Sequence, residues 1–135
     1  MGNAKILVVD DEQDMRIFVS TVVETLGFEP MVAKDGVDAL EKARLNPPAL
    51  VILDVMMPKI DDGIQTYRQF RTNPGLAPIP IIMLSAIAKK TFLHSIKMLS
   101  PQQGPQLPEP EAYMEKPPDA NELSQLIAEL LPFGS

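Results

Sequence analysis

The sequence predicts a doubly wound α/β domain, one parallel sheet covered by helices on both faces. Three observations lead there. The apolar runs Ile6-Leu7-Val8-Val9, Leu50-Val51-Ile52-Leu53 and Ile79 to Leu84 are unbroken, so they read as strands buried on both sides rather than strands with one wet face. Segments with three- and four-residue apolar spacing separate them. Strand and helix patterns then alternate five times along the chain, the order that builds right-handed parallel crossovers.

Taken in order, Ile6 to Val9 is the first strand. Asp11 or Glu12 opens the first helix, whose apolar positions are Ile17, Val19, Val22, Val23 and Leu26, and Gly27 stands where a helix C-cap favours glycine. Glu29 to Ala33 is short and mixed, as expected of an edge strand. Asp35 precedes a helix from Gly36 to Leu45 that would bury Val37, Leu40 and Leu45, and Asn46-Pro47-Pro48 ends it. Leu50 to Leu53 is the third strand. Gly63 to Thr72 carries Ile64, Tyr67 and Phe70, and Asn73-Pro74-Gly75 stops it. After the strand at Ile79 to Leu84, Lys89 to Leu99 presents Phe92, Leu93, Ile96 and Leu99. Ala112-Tyr113-Met114 is the last and weakest strand. Asp119 caps a final helix through Leu123, Leu126, Ile127 and Leu130, and Pro132 terminates it.

Composition narrows the function. A chain of 135 residues fits one domain with a real core. The net charge is −6, and no basic run or stripe appears, which argues against direct nucleic-acid binding. With no cysteine, disulfides and thiolate metal sites are excluded and a reducing compartment is compatible. No signal peptide is visible and no apolar stretch approaches a bilayer span. The expectation is a cytoplasmic protein without membrane insertion.

In doubly wound sheets, ligands bind at the carboxyl ends of the strands. Those ends carry polar groups here: Asp10-Asp11-Glu12, Asp54, Ser85 and Glu115-Lys116-Pro117. If the first and third strands are neighbours, Asp10, Asp11 and Asp54 converge. Converging carboxylates repel, and a hard divalent cation relieves them. Mg²⁺ suits phosphoryl transfer because it neutralises charge on the moving group, and a carboxylate can serve as the nucleophile. Lys116 and Ser85 would then hold phosphoryl oxygens. Each residue alone has an ordinary explanation: helix capping for Asp10, Asp11 and Ser85, a turn for Asp54, a solvated surface for Lys116. Helix capping does not by itself explain acid, acid, hydroxyl and lysine at four separate strand ends.

At these residues the sequence resembles the receiver domain of bacterial two-component response regulators. The matching segments are Ile6 to Glu12, Val51 to Pro58, Met83-Leu84-Ser85-Ala86 and Tyr113 to Pro117. The resemblance implies a flavodoxin-like five-stranded sheet in the order 2-1-3-4-5. It implies Asp54 as phosphoacceptor, Asp10, Asp11, Asp54 and the main-chain carbonyl of Met56 as Mg²⁺ ligands (Mn²⁺ could substitute), and Lys116 as the phosphoryl-binding lysine. Ser85 and Tyr113 are implied as switch residues, and the Lys116-Pro117 bond as cis. The donor would be a histidine kinase or a histidine phosphotransfer protein, and the output a downstream protein target. Such a chain catalyses only its own phosphorylation and dephosphorylation. The alternatives are a phosphorelay intermediate that passes the group onward, or a receiver excised from a longer DNA-binding or enzymatic regulator. A haloacid-dehalogenase-type enzyme would want a second Asp where Met56 stands, and a flavin phosphate would be repelled by the acidic strand end.

Three departures from that pattern are visible. Lys59-Ile60-Asp61-Asp62-Gly63 is one residue longer than expected, which predicts an extra turn residue near Asp61 and Asp62 whose carboxylates cap the helix. The stretch of about 100–111 is long and holds Pro101, Pro105, Pro108 and Pro110; it reads as a non-helical, extended loop, either a partner-specific surface or a tolerated insertion. Met56, two residues after Asp54, is a poor positioner of water, so slow dephosphorylation is expected. His94, the single histidine, reads as a surface residue. The expected organisation is one receiver domain over 1–135 with no output domain in this chain.

Overall fold

The computed structural model describes residues 4–54, 60–103 and 107–131. Five strands and five helices alternate: β1 (Lys5–Val9), α1 (Gln13–Thr25), β2 (Glu29–Ala33), α2 (Gly36–Leu45), β3 (Leu50–Leu53), α3 (Ile60–Thr72), β4 (Ile81–Ser85), α4 (Lys89–Gln103), β5 (Ala112–Glu115) and α5 (Ala120–Leu130). All pairings are parallel, in the order β2-β1-β3-β4-β5. The predicted fold class and strand order are therefore those observed.

The unbroken apolar runs have a two-sided purpose. Successive strand residues point to opposite faces. Leu7, Val9, Val51, Leu53, Ile81 and Met83 pack on one face against Ala39, Ala43, Ile64, Tyr67, Phe70, Phe92 and Ile96. Ile6, Val8, Leu50, Ile52, Ile82 and Leu84 pack on the other against Val19, Val22, Val23, Leu123 and Ile127. Helices α2, α3 and α4 thus cover one side, and α1 and α5 the other. Two local signals work as read. Gly27 takes φ 91°, its N–H reaches the Glu24 carbonyl, and the Phe28 N–H reaches the Val23 carbonyl, the paired bonds of a Schellman ending. The Asp119 carboxylate accepts from the Glu122 amide at 2.9 Å and starts α5.

The structure corrects four expectations. First, α2 buries Ala39 and Ala43, while Val37 and Leu45 are 79% and 74% exposed. Small residues let this helix lie close to its neighbour: a Cβ on Gly36 would come within 2.0 Å of the Thr66 hydroxyl oxygen. Second, α3 begins at Ile60, so Asp61 and Asp62 stand in its first turn rather than in an added turn. Third, α4 runs on through Pro101 to Gln103. The proline lacks one amide for the ladder, yet the helix continues, so only residues 107–110 of the proline-rich stretch are described as irregular. Fourth, Ile17 on α1 is 56% exposed. Met56 and its neighbours at 55–59, and residues 104–106 with Gly104 and Pro105, lie outside the described residues.

Phe70 is fully buried whereas Val37 faces solvent. Urea unfolding should therefore show Phe70→Ala losing ~3–5 kcal/mol and Val37→Ala changing stability by less than ~0.5 kcal/mol.

Candidate functional site

The parallel register brings the acids together. Val9 is the partner of Leu53, so the residue after each strand emerges at the same level of the sheet. The ladder continues one step further: the Asp54 amide donates to the Val9 carbonyl at 2.9 Å and the Asp10 amide to the Ala33 carbonyl at 3.1 Å. Asp10 and Asp54 are each only 2% exposed. Asp11 and Glu12 lie at the rim. One carboxylate oxygen from each of Asp10, Asp11, Glu12 and Asp54 falls within 4.8 Å of the others.

Lys116 reaches across from the end of β5. Its ammonium lies 3.1 Å from Asp10 Oδ2, 3.1 Å from Glu12 Oε1 and 3.4 Å from Asp54 Oδ2. The backbone holds the lysine in place: its amide donates to the Ser85 carbonyl at 2.8 Å, and the Lys116-Pro117 bond is cis, as expected. Asp10 is fixed twice more. Its Oδ1 accepts from the Glu12 amide at 2.9 Å, and its carbonyl accepts from Arg16 Nη1 at 2.7 Å.

Electrostatics shows the cluster to be under-compensated. Burial lifts the Asp10 carboxyl above the ordinary carboxylate value; the Glu12 amide and Lys116 pull against that lift without cancelling it. Burial also works against the charge on Lys116, but Asp54 and Asp10 outweigh it and hold the ammonium above the usual lysine value. Among the described residues, one ammonium among four carboxylates leaves a negative, oxygen-rich cluster. That donor set fits a hard divalent cation such as Mg²⁺ or Mn²⁺ and, among the described residues, lacks the nitrogen and sulfur donors of softer metals.

Ser85 ends β4 and is fully buried, with its hydroxyl accepting from the Ile87 amide at 3.2 Å. Tyr113 on β5 is half-buried. Its hydroxyl donates to the Ile87 carbonyl at 2.8 Å, and its ring packs on Phe92 at 5.6 Å between centroids. Burial, opposed by a hydrogen bond with Ser85, pushes the Tyr113 phenol up to about 12. The structure thus brings Asp10, Asp11, Asp54 and Lys116 together, sets Ser85 on the strand next to β3, and seats Tyr113 beside Ser85. The Met56 carbonyl lies outside the described residues. His94 is exposed on α4, as read.

Two participants escaped the sequence reading. Glu12 belongs to the cluster and pairs with Lys116; the third acid of the Asp10-Asp11-Glu12 run was the signal. Arg16 grips the Asp10 backbone, and its sequence position alone does not reveal that.

With this geometry in view, comparison with known proteins is direct. The family model described as the response regulator receiver domain matches residues 6–102. The chain belongs to that family and is a receiver domain of the two-component response regulators. It is 43% identical over 84 residues to the alkaline phosphatase synthesis transcriptional regulatory protein PhoP of Bacillus subtilis (strain 168), covering 62% of this chain and 34% of PhoP. It is 35% identical over 82 residues to Protein PilG of Pseudomonas aeruginosa, covering 61% of this chain and 60% of PilG. The matched part thus spans about a third of PhoP. Among solved structures, the chemotaxis protein CheY4 of Vibrio cholerae superposes with a TM-score of 0.78 at 26% identity, over 96% of this chain and 100% of that one. The N-terminal domain of a response regulator receiver protein from Methanoculleus marisnigri JR1 gives 0.68 at 30% identity, over 96% and 97%. Among the described residues, no helix is long and apolar enough to cross a membrane.

The chain's two tyrosines, Tyr67 and Tyr113, are both held protonated beyond the ordinary value, chiefly by burial. The folded state keeps these protons more tightly than the unfolded chain does. The resulting stabilisation is full below pH ~10 and is lost as the pH rises through the folded values. Absorbance titration of Tyr67→Phe should therefore show one phenol transition near 12 in the folded protein, with unfolding becoming easier over the same interval.

Proposed function

We propose that Asp54 accepts a phosphoryl group from a phosphohistidine on a histidine kinase or histidine phosphotransfer protein. A carboxylate oxygen of Asp54 attacks phosphorus, the P–N bond breaks, and the imidazole nitrogen leaves with the electron pair. The products are an aspartyl phosphate and free histidine. The observation that carries this reading is the buried Asp54 carboxylate, set at a strand end with Asp10 and bridged to it by a single lysine.

The supporting residues take their parts from position. Lys116 holds a phosphoryl oxygen with its ammonium, and Ser85 donates its hydroxyl to another. Asp10, Asp11 and Asp54 hold a divalent cation, Mg²⁺ by preference, with Glu12 in reach. When bound, such an ion neutralises charge on the transferring group. Lys116 counters the charge of the acids that remain, and the buried walls around Asp54 and Ser85 limit water.

The switching logic is a population shift. A new dianion gains bonds to Ser85 and Lys116 in one arrangement of the groups around it, and only that difference moves the equilibrium. Ser85 shares Ile87 with Tyr113: its hydroxyl takes the Ile87 amide while the Tyr113 hydroxyl takes the carbonyl. Movement of Ser85 therefore releases or re-seats Tyr113, and the surface of α4, β5 and α5 changes for a protein partner. The chain acts on its own aspartate and turns over no separate substrate. Family membership supports a cytoplasmic place of action.

Incubation with acetyl phosphate and Mg²⁺ should add the mass of one phosphoryl group, read by intact mass spectrometry. Asp54→Asn and chelation of the metal should each abolish the gain; a gain that persists in Asp54→Asn would assign the phosphoryl group elsewhere.

Metal binding should also register as stability. Mg²⁺ at a hundred times its dissociation constant is expected to add about 2.7 kcal/mol to the unfolding free energy. Asp11→Asn should raise metal-free stability, because it removes a like charge, while losing most of the Mg²⁺ increment. Thermal melts with and without the ion test both signs.

A further inference from the structure

Residues Leu107 to Glu111 form a seated strap rather than a free loop. Leu107 is 6% exposed and packs in the same core cluster as Tyr67, Phe92 and Ile96. The Pro108 carbonyl accepts from the Tyr67 hydroxyl, 41 residues earlier in sequence. That hydroxyl in turn accepts from Arg71 Nε at 3.1 Å, and the Arg71 guanidinium lies 5.0 Å from the Tyr67 ring centroid. Arg71 Nη2 pairs with Glu111 at 2.7 Å, with the arginine side chain 5% exposed. The same Glu111 oxygen accepts from the Ile81 amide at 2.7 Å, where β4 begins. One tyrosine and one arginine of α3 therefore bind both ends of the strap.

The same tyrosine touches the switch. Tyr67 meets Phe92 edge-on, with centroids 5.7 Å apart, and Phe92 meets Tyr113 at 5.6 Å. Tyr67 and Phe92 are both fully buried. Packed rings of this kind have no slack: a ring that shifts must move its neighbour or leave a void. Tyr113 closes the outer side of Phe92, so its departure from the Ile87 carbonyl would remove a packing partner from the ring that meets Tyr67, and the Tyr67 hydroxyl is the hub of the strap's seat.

We propose that the strap Leu107–Glu111 and the phosphorylation switch are coupled through Tyr67, Phe92 and Tyr113, so that phosphorylation changes how firmly the strap is seated and strap contacts bias the switch in return. The proposal rests on Asp54 as the phosphoacceptor. The coupling is reciprocal by linkage, so Tyr67 acts as a positioning residue for a site it does not touch.

Hydrogen exchange of the whole chain tests it, before and after treatment with acetyl phosphate and Mg²⁺. Pro108 and Pro110 have no amide, so the reporters are the Leu107, Glu109 and Glu111 amides. In the wild type their exchange rates should differ about fivefold or more between the two states. Tyr67→Phe keeps the ring and removes the hydroxyl; compared at full phosphorylation, confirmed by intact mass, it should lose most of that difference. Glu111→Gln, a milder change that keeps an acceptor for Ile81, should lose part of it. Equal strap exchange in fully phosphorylated and unphosphorylated wild type would overturn the proposal, as would an undiminished difference in Tyr67→Phe. Intact mass separates these outcomes from a failure of the phosphoacceptor reading. A chain that gains no phosphoryl group overturns that reading, and the proposal falls with it.

Discussion

The concentration of negative charge at one edge of the sheet is the constraint on which the rest of this molecule turns. Four carboxylates share a space of a few ångströms, and two of them, Asp10 and Asp54, are almost wholly removed from water. Left alone, such groups would repel each other or take up protons. The protein answers with one ammonium, that of Lys116, which touches three of them. The answer is deliberately incomplete in its effect: Asp10 still favours its neutral form more than a free carboxylate does. A site held short of neutrality favours further positive charge.

The fold makes that concentration possible at little expense elsewhere. Parallel strands all end on the same edge, and the register pairs Val9 with Leu53 and Ser85 with Glu115. Asp10, Asp54 and Ser85 therefore sit one step beyond, or at, the end of a buried strand, and Lys116 one step beyond the less buried β5. The strands are rigid because both faces are packed, so the charged groups cannot relax apart. The same packing explains why the Asp54 carboxylate is dry while Asp11 and Glu12 stay at the rim. A mobile loop carrying the same residues would let the repulsion open the site.

Much of this was legible in the sequence because it depends on local signals. Unbroken apolar runs marked the strands, Gly27 and Asp119 marked helix boundaries, and the polar residues at strand ends marked the site. What escaped depended on the identity of distant neighbours. The α2 helix buries Ala39 and Ala43 and exposes Val37 and Leu45, and its start lies so close to Thr66 that Gly36 has no room for a side chain. Helix α4 passes through Pro101, where proline chemistry alone predicts a stop. Glu12 joined the site only because Lys116 arrives from more than a hundred residues away. Its acidity was visible, but its partner was not.

The strap shows the same principle at the other end of the molecule. An arginine side chain 5% exposed needs partners for its charge, and Arg71 finds them in Glu111, Tyr67 and the carbonyls of Ala77 and Ile79. Removing any one partner would leave a buried cation less satisfied, which is why such groups hold an unusual chain path in place. Proline-rich sequence by itself would leave residues 107–111 extended and free. The arginine and the tyrosine instead tie them to α3 and to the start of β4. A segment that looked like an insertion is thereby bonded to the helix whose aromatic ring leads, through Phe92, to Tyr113. The charge problem at the acidic edge and the charge problem at Arg71 are solved by separate groups. The three rings between them are where the two solutions meet.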